Sequence, residues 1–377
     1  MTADFPPAEF EARVANAQKA MHAAGIDALL LTTEAEVRYF TGFRTAFWQS
    51  PTRPWFVVLP KDGKPIAIIP EIGSALMRKT WVEDIRTWAS PHATDDGLSL
   101  LSDALRTARV IGMPMGRESS LRMPLADFDK LRARRSGAMF LDASPLFQRL
   151  RMVKSPAEIG RIKEICRITS SAFSQAPSLF HEGQPLTEAF RAFKIALLKA
   201  GAENVPYLVG GAGEGGYSDV ISPPDDTPLR SGDVLMLDTG ASLKGYFADF
   251  DRNFSIGQAT DVARTAYGTL WQATEAGLQA ANPGARAAEV FQAMTTIIGQ
   301  GASDVGRFGH GLGMQLTEPP SLIGFDETIL APGMVITLEP SLTTSPGKIM
   351  VHEENIVITD GGPQLLSERA ARELPVL

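Results

Sequence analysis

The sequence predicts an α/β domain over about residues 1–150 followed by an α+β domain over 151–377. Three observations predict it. Helical and strand patterns alternate up to residue 150. A helix start then stands at Ser155-Pro156-Ala157-Glu158. Beyond it, helices and antiparallel strand patterns are segregated rather than alternating. The length of 377 residues also exceeds one ordinary core.

Glu9–Ala24 reads as an amphipathic helix stopped by Gly25. Ala28–Thr32 is a short apolar run and reads as a buried strand. Trp55–Leu59 and Pro65–Pro70 read as strands separated by the turn Lys61-Asp62-Gly63. Leu98–Ala108 and Leu125–Arg132 read as helices, with a strand starting at Val110–Gly112 between them. Past the boundary, Ser155 can cap a helix, Pro156 suits its first position, and Glu158 stands three after the cap. That helix is expected to reach about residue 177. Further helices are expected at about 187–200, 261–281 and 286–299. Strands are expected over Asp233–Gly240, Gly245–Ile256, Met334–Pro340 and Ile349–Thr359.

Hydrophobic residues make up 44% and charged residues 21% of the chain, a balance suited to a folded globular protein. The formal charge is −7. Such a chain has no general pull on phosphate backbones, which speaks against nucleic acid as a partner. One cysteine, Cys166, permits no intrachain disulfide and points to a reducing compartment, the cytoplasm. It lies in the helical stripe Ile162, Ile165, Cys166, Ile168 and reads as a core residue. The first ten residues carry neither the basic nor the apolar region of a signal peptide. Apolar runs such as Ala28–Leu31 and Val335–Leu338 are far short of a membrane span.

Five segments carry candidate metal ligands. Leu235-Met236-Leu237-Asp238 ends an apolar strand on an acid. A buried ionised carboxylate is costly unless it meets a cation or a full set of hydrogen bonds. The alternative is an aspartate capping the turn before Gly240. In Ala248-Asp249-Phe250-Asp251-Arg252, a strand puts Asp249 and Asp251 on one face. There they repel each other unless a cation sits beside them; a solvated polar face is the alternative. His310 lies among glycines in Gly309-His310-Gly311-Leu312-Gly313, where other groups can approach closely. Taken alone it reads as a loop histidine. Glu339 ends the run Val335–Leu338 and faces either a site or solvent. In Val351-His352-Glu353-Glu354-Asn355, alternation separates Glu353 from His352 and Glu354. One of the two acids can then face a shared site, or both can lie on an exposed strand start. Together, the oxygen-rich set with one nitrogen suits Mn²⁺, Co²⁺ or Zn²⁺. Acids that bridge allow two ions about 3.5–4 Å apart that share a hydroxide.

The order Asp238, Asp249, His310 in GHGLG, Glu339 in LEP and Glu353 in HEEN resembles the pita-bread metallohydrolases. These include methionine aminopeptidase, aminopeptidase P, prolidase and creatinase. Val153-Lys154-Ser155-Pro156-Ala157-Glu158-Ile159 and the tail from Leu365 to Pro375 resemble the creatinase/prolidase branch. The resemblance covers essentially the whole chain. It implies a creatinase-like N-terminal α/β domain, a pita-bread α+β catalytic domain, two divalent metal ions and a homodimer. By position it implies Asp249, His310 and Glu339 on one ion and Asp238 on the other. Asp249 and Glu353 would bridge the pair. Glu339 would double as the acid/base, with a bridging hydroxide attacking a carbonyl.

Two positions depart from the family's peptidases. Ile221 and Thr317 stand where those enzymes usually carry histidines that contact the substrate or its tetrahedral intermediate. The resemblance implies hydrolysis of a small amide, most simply a Xaa-Pro peptide, as in aminopeptidase P or prolidase. The missing histidines favour the alternative, a small-molecule hydrolase or lyase similar to creatinase, ectoine hydrolase or a sulfonium lyase. A binding module without catalysis is disfavoured by retention of all five ligands. Tyr217 and Thr317 are candidate substrate contacts, Tyr217 following a glycine-rich loop, Gly210–Gly216, that lacks the Lys-Ser/Thr of a phosphate cradle. Trp48 and Arg53 lie in the aromatic stretch Phe47–Trp55. In related dimers the N-terminal domain reaches the partner's active site, so both are expected to contact substrate there, with aromatic packing as the alternative.

Overall fold

In a computed structural model, the short apolar runs of the first half of the chain become the centre of one sheet. The structure describes residues 4–50, 52–302 and 306–377. The first three residues read above and Pro51 of the aromatic stretch lie outside these. The chain divides into two units, Met1–Arg151 and Met152–Leu377.

The first unit holds β1 (Ala28–Leu31), β2 (Phe56–Pro60), β3 (Ile66–Pro70), β4 (Asp84–Trp88), β5 (Val110–Met113) and β6 (Met139–Asp142). Their order is β4-β3-β2-β1-β5-β6. β1 and β2 pair antiparallel, whereas β1 with β5 and β5 with β6 pair parallel. All four residues of β1 are buried, as a central strand requires. Leu30, Phe56, Ile68, Leu101, Ile111 and Phe128 pack one core on this sheet. The helix Pro7–Ala24 closes on Gly25, whose φ of 67° favours glycine. The outer strands β4 and β6 carry mostly half-exposed or exposed residues, so no apolar run announces them.

The second unit opens on the helix Pro156–Phe173. Ser155 Oγ accepts from the Glu158 N–H at 3.2 Å, and the Glu158 carboxylate accepts from the Ser155 N–H at 2.9 Å. This helix ends at Phe173 rather than near residue 177, and a separate turn, Ala176–Leu179, follows. Helices Leu186–Ala200, Asp261–Ala280 and Ala287–Ile298 complete the set expected from the sequence. Among the described residues no helix is long and apolar enough to cross a membrane.

Two antiparallel sheets position the acids. The first has β7 (Asn204–Glu214), β8 (Asp233–Leu243), β9 (Tyr246–Phe247) and β10 (Phe250–Ser255), ordered β10-β8-β7 with β9 also on β8. The second has β11 (His310–Gly311), β12 (Glu318–Ser321) and β13 (Val335–Leu338). A hairpin of β14 (Ser341–Ser345) and β15 (Lys348–Val351) follows. The second sheet is completed by β16 (Glu354–Thr359) and β17 (Gly362–Leu365), in the order β12-β11-β13-β16-β17.

The glycine-rich segment is therefore not a loop up to Glu214 but the second half of β7, with Gly210 opposite Leu237 and Gly213 opposite Val234; only Gly215 and Gly216 turn out of the strand. A Cβ on Gly210 would stand 2.1 Å from the Met236 carbonyl oxygen, and φ there is 148°. Glycine serves close backbone approach at this position. Two expected strands are also interrupted. Gly245–Ile256 breaks between β9 and β10, and Ile349–Thr359 breaks between β15 and β16. Asp249 lies in the first break and Glu353 in the second.

An ion pair locks the start of this unit. Lys154 Nζ lies 3.1 Å from Glu318 Oε2, and both side chains are 2% exposed. Removing one member strands a buried charge at a cost of about 3–5 kcal/mol. Lys154→Ala is expected to lower unfolding stability by that amount in urea titrations. A loss below about 1 kcal/mol, the range of exposed pairs, would mean the pair is effectively solvated.

Candidate metal centre

His310 occupies a two-residue strand between β12 and β13. Its flanking glycines make that position reachable. A Cβ on Gly309 would meet the Thr337 carbonyl oxygen at 2.2 Å, and one on Gly311 the Pro319 carbonyl oxygen at 2.1 Å. His310 N–H donates to Thr337 Oγ1 at 3.1 Å. Its ring Nδ1 lies 3.0 Å from the Gly311 carbonyl oxygen, which only accepts, so Nδ1 carries the proton. The Nε2 lone pair then faces acids: Asp249 Oδ2 at 3.5 Å and Glu339 Oε2 at 4.0 Å. Burial lowers the His310 pKa to about 4, keeping the ring neutral.

Asp249, His310 and Glu353 each offer an atom within 4.8 Å of the others. Glu339, whose side chain is 31% exposed, stands directly after β13 and is less enclosed. Asp238 on β8 takes a hydrogen bond from the Tyr207 side chain. It is joined to the trio through charge: Asp238 is among the groups that push up Asp249, Glu339 and Glu353.

Loss of hydration is the main cause of every shift here, and mutual repulsion adds to most. Asp238 rises to about 7 and Glu339 to about 8. Asp249, Asp251 and Glu353 rise well above the usual carboxylate range. The Arg307 guanidinium opposes the rise at Asp249 and Glu339. Three buried oxygens, Asp238 Oδ1, Asp251 Oδ2 and Glu353 Oε1, have no hydrogen-bond partner. Acids so arranged are unstable as a bare cluster and suited to divalent cations. Four carboxylates and one imidazole lone pair are an appropriate donor set for such ions, so the residues fit the group.

The second acid of the HEEN motif behaves differently. Burial alone would raise Glu354, but Arg252 foremost holds it below its ordinary value. It accepts from Arg252 Nη2 at 3.0 Å, from the Ala370 N–H at 2.8 Å and from Ser367 Oγ. Its oxygens are committed to protein donors, whereas Glu353 has one oxygen free.

The other residues singled out from the sequence are placed as follows. Tyr217 is 1% exposed, and its hydroxyl donates to Asn253 Oδ1 at 3.2 Å and accepts from the Val351 N–H at 2.6 Å. It braces β15 and is not placed to touch a substrate; its expected role is corrected for that reason. Trp48 packs within its own unit. Its ring meets Phe43 at 6.5 Å and Trp55 at 6.1 Å, and the Arg122 guanidinium lies over it at 5.0 Å. Arg53 is half-buried with its guanidinium over Phe47. Thr317 lies half-buried in the bend before β12. Ile221 is 75% exposed.

Three residues of the surroundings, Tyr207, Arg307 and Asn355, carry no signal of their own in the sequence, and Asp251, read there only as the neighbour of Asp249, joins them. Tyr207 bonds Asp238, Arg307 sets charge beside His310, and Asp251 lies among the acids. Asn355 grips the break at Asp249: its Oδ1 accepts from the Asp249 N–H at 3.0 Å and its Nδ2 donates to the Asp249 carbonyl oxygen. The N of HEEN is visible in the sequence, but its partner lies 106 residues away. The buried Cys166 thiol also donates to Asn355 Oδ1, at 3.3 Å.

Comparison with known proteins adds an independent finding. Residues 160–360 match the family model of metallopeptidase family M24, and residues 13–153 match that of the creatinase/prolidase N-terminal domain. The probable dipeptidase PepE of Mycobacterium tuberculosis is 27% identical over 360 residues, covering 94% of this chain and 93% of that protein. A Xaa-Pro dipeptidase from Pyrococcus horikoshii is 28% identical over 266 residues, covering 69% of this chain and 74% of that protein. The crystal structure of dipeptidase PepE from Mycobacterium ulcerans superposes with a TM-score of 0.84 at 25% identity, covering 99% of both chains.

Proposed function

Because the chain belongs to metallopeptidase family M24, we propose that it hydrolyses short Xaa-Pro peptides at a pair of divalent metal ions. The observation that carries this reading is the buried group of Asp249, His310 and Glu353, with Asp238 and Glu339 beside it and carboxylate oxygens left without donors. Relatives named as dipeptidases and as a Xaa-Pro dipeptidase support the substrate class.

Asp249, His310 and Glu339 would hold one ion and Asp238 the other, with Asp249 and Glu353 shared. Mn²⁺, Co²⁺ and Zn²⁺ suit this mixture of oxygen and imidazole donors. When bound, such ions supply Lewis acidity and a water-derived nucleophile at neutral pH. The chain's own residues do the rest. The Gly311 carbonyl fixes the His310 tautomer and aims Nε2. Asn355 and the break before β10 hold Asp249 in place. Glu339 is half-open, and beside the ion it would help hold it is placed to pass a proton to the departing amine.

The reading includes a cytoplasmic location, supported by the lone buried Cys166, and a homodimer. In that dimer Arg53 would contact substrate held by the other subunit, and Thr317 would line the site. Arg53→Ala is then expected to raise KM for a dipeptide; an unchanged KM removes Arg53 from the site.

A second reading keeps the metal pair and changes the substrate to a small non-peptide compound. Ile221 and Thr317, which supply no imidazole where family peptidases use one, favour it. A turnover screen of the Mn²⁺-, Co²⁺- and Zn²⁺-loaded protein separates the two. Release of proline from Xaa-Pro dipeptides is the expected result. Activity confined to ectoine-like or creatine-like compounds would overturn the peptidase reading and favour the second.

A further inference from the structure

The residue Asp251 is not among the five ligands that the family resemblance implies. It lies on β10 directly opposite Asp238 on β8. Opposed residues of an antiparallel pair project to one face, with Cβ atoms about 4.5–5.5 Å apart. Asp251 is 1% exposed. Its Oδ1 accepts from the Glu353 N–H at 2.9 Å, while Oδ2 has no hydrogen-bond partner. Asp238 Oδ1, across the ladder, also has none.

The adjacent arginine does not satisfy that oxygen. The Arg252 guanidinium donates to the Asp251 and Glu353 carbonyl oxygens, to Glu354 and to the Glu368 carbonyl oxygen. Its charge is felt at Asp251, but burial and repulsion from Asp238 prevail. Two facing acids, each with a bare buried oxygen, call for a cation between them.

We propose that Asp251 is a further metal-ligating residue, its Oδ2 closing with Asp238 on the ion that Asp238 takes. This rests on the two-ion reading above. It also makes the two positions chemically unequal. One carries the His310 imidazole, whereas the Asp238 position becomes all-oxygen, with Asp251 added to Asp238 and the shared acids. An all-oxygen position selects a hard cation such as Mn²⁺, and the imidazole position accepts softer ions as well.

The test is Mn²⁺ binding to the full-length, chelator-stripped chain, measured by equilibrium dialysis with elemental analysis. The Asp251→Asn variant keeps an oxygen that can accept from the Glu353 N–H but removes the charge. Wild type is expected to bind two ions per chain. The variant is expected to keep one at near wild-type affinity and to bind the second at least tenfold more weakly. Two ions of unchanged affinity in the variant would overturn the assignment of Asp251 alone. A wild type that binds fewer than two ions would instead overturn the two-ion reading. A crystal structure of the Mn²⁺-loaded wild type needs no variant to fold. Asp251 Oδ2 bonded directly to the Asp238 ion is the expected result; a water interposed between them would sink the proposal.

Discussion

Asp249→Asn is expected to lower kcat/KM by about 10³-fold or more and to strip metal from the protein. Asp249 is the acid nearest the His310 lone pair, at 3.5 Å, and one of the mutually close trio with Glu353. In the proposed function it is shared by both ions. Asparagine keeps the size of the side chain and leaves the main-chain grip of Asn355 untouched. The fold is therefore expected to survive while the charge that neutralises the cations falls by one. A Lewis-acid contribution of several kcal/mol, at about 1.4 kcal/mol per factor of ten, corresponds to that loss. Elemental analysis beside steady-state kinetics checks it. A variant with full metal content and near-normal turnover would remove Asp249 from the centre.

The metal-free protein is expected to be more stable at about pH 5 than at about pH 8, and the metal-loaded protein to show the reverse trend. Without a cation, Asp238 titrates near 7 and Glu339 near 8, and Asp249, Asp251 and Glu353 are raised further, chiefly by lost hydration. In the unfolded chain such groups titrate near about 4. Between those limits the folded state holds protons that the unfolded chain has released. Stability is then greatest below the unfolded value and falls as pH rises through the folded values. Each raised unit corresponds to about 1.4 kcal/mol, so the decline across this window amounts to several kcal/mol. Bound ions replace those protons, and their affinity grows as the acids deprotonate. Thermal melts of stripped and loaded protein across this range test both slopes. A stripped protein whose stability rises steadily from pH 5 to pH 8 would show that the acids are satisfied by other means.

Much of the centre was legible because its chemistry is dissonant. Asp238 and Glu339 end runs of buried aliphatic residues, and Glu353 stands at the entry to one. An acid in such a place needs a cation or donors, and that need is visible in one dimension. His310 was legible through its glycines, since the approach of the Thr337 and Pro319 carbonyls leaves no room for a Cβ on either side. What supports these residues was not legible. Tyr207, Arg307 and Asn355 act through partners distant in sequence, and nothing in their local pattern marks them. Alternation along a strand placed Asp249 and Asp251 together, but it could not reveal that both ladders break at the acids themselves.

The fold shows the same division. β1 and β8 were read from their aliphatic runs, and the Pro156–Phe173 helix from its capping box. In the sequence β7 reads as a loop because glycine is a poor strand former, although its glycines serve the close pairing with β8. Edge strands β4 and β6 escaped notice because an edge needs no continuous apolar run. Tyr217 was drawn toward the site by its neighbours in sequence, whereas its hydroxyl is spent on the backbone of β15.

The claim beneath these expectations is that buried acids grouped around one imidazole are held there by divalent cations. Calorimetric titration of stripped protein with Mn²⁺ near neutral pH, repeated in buffers of different ionisation enthalpy, tests it most directly. Tight binding accompanied by release of protons is predicted, because raised carboxyls must give them up to coordinate. Absence of binding, or binding that releases no protons, would contradict it.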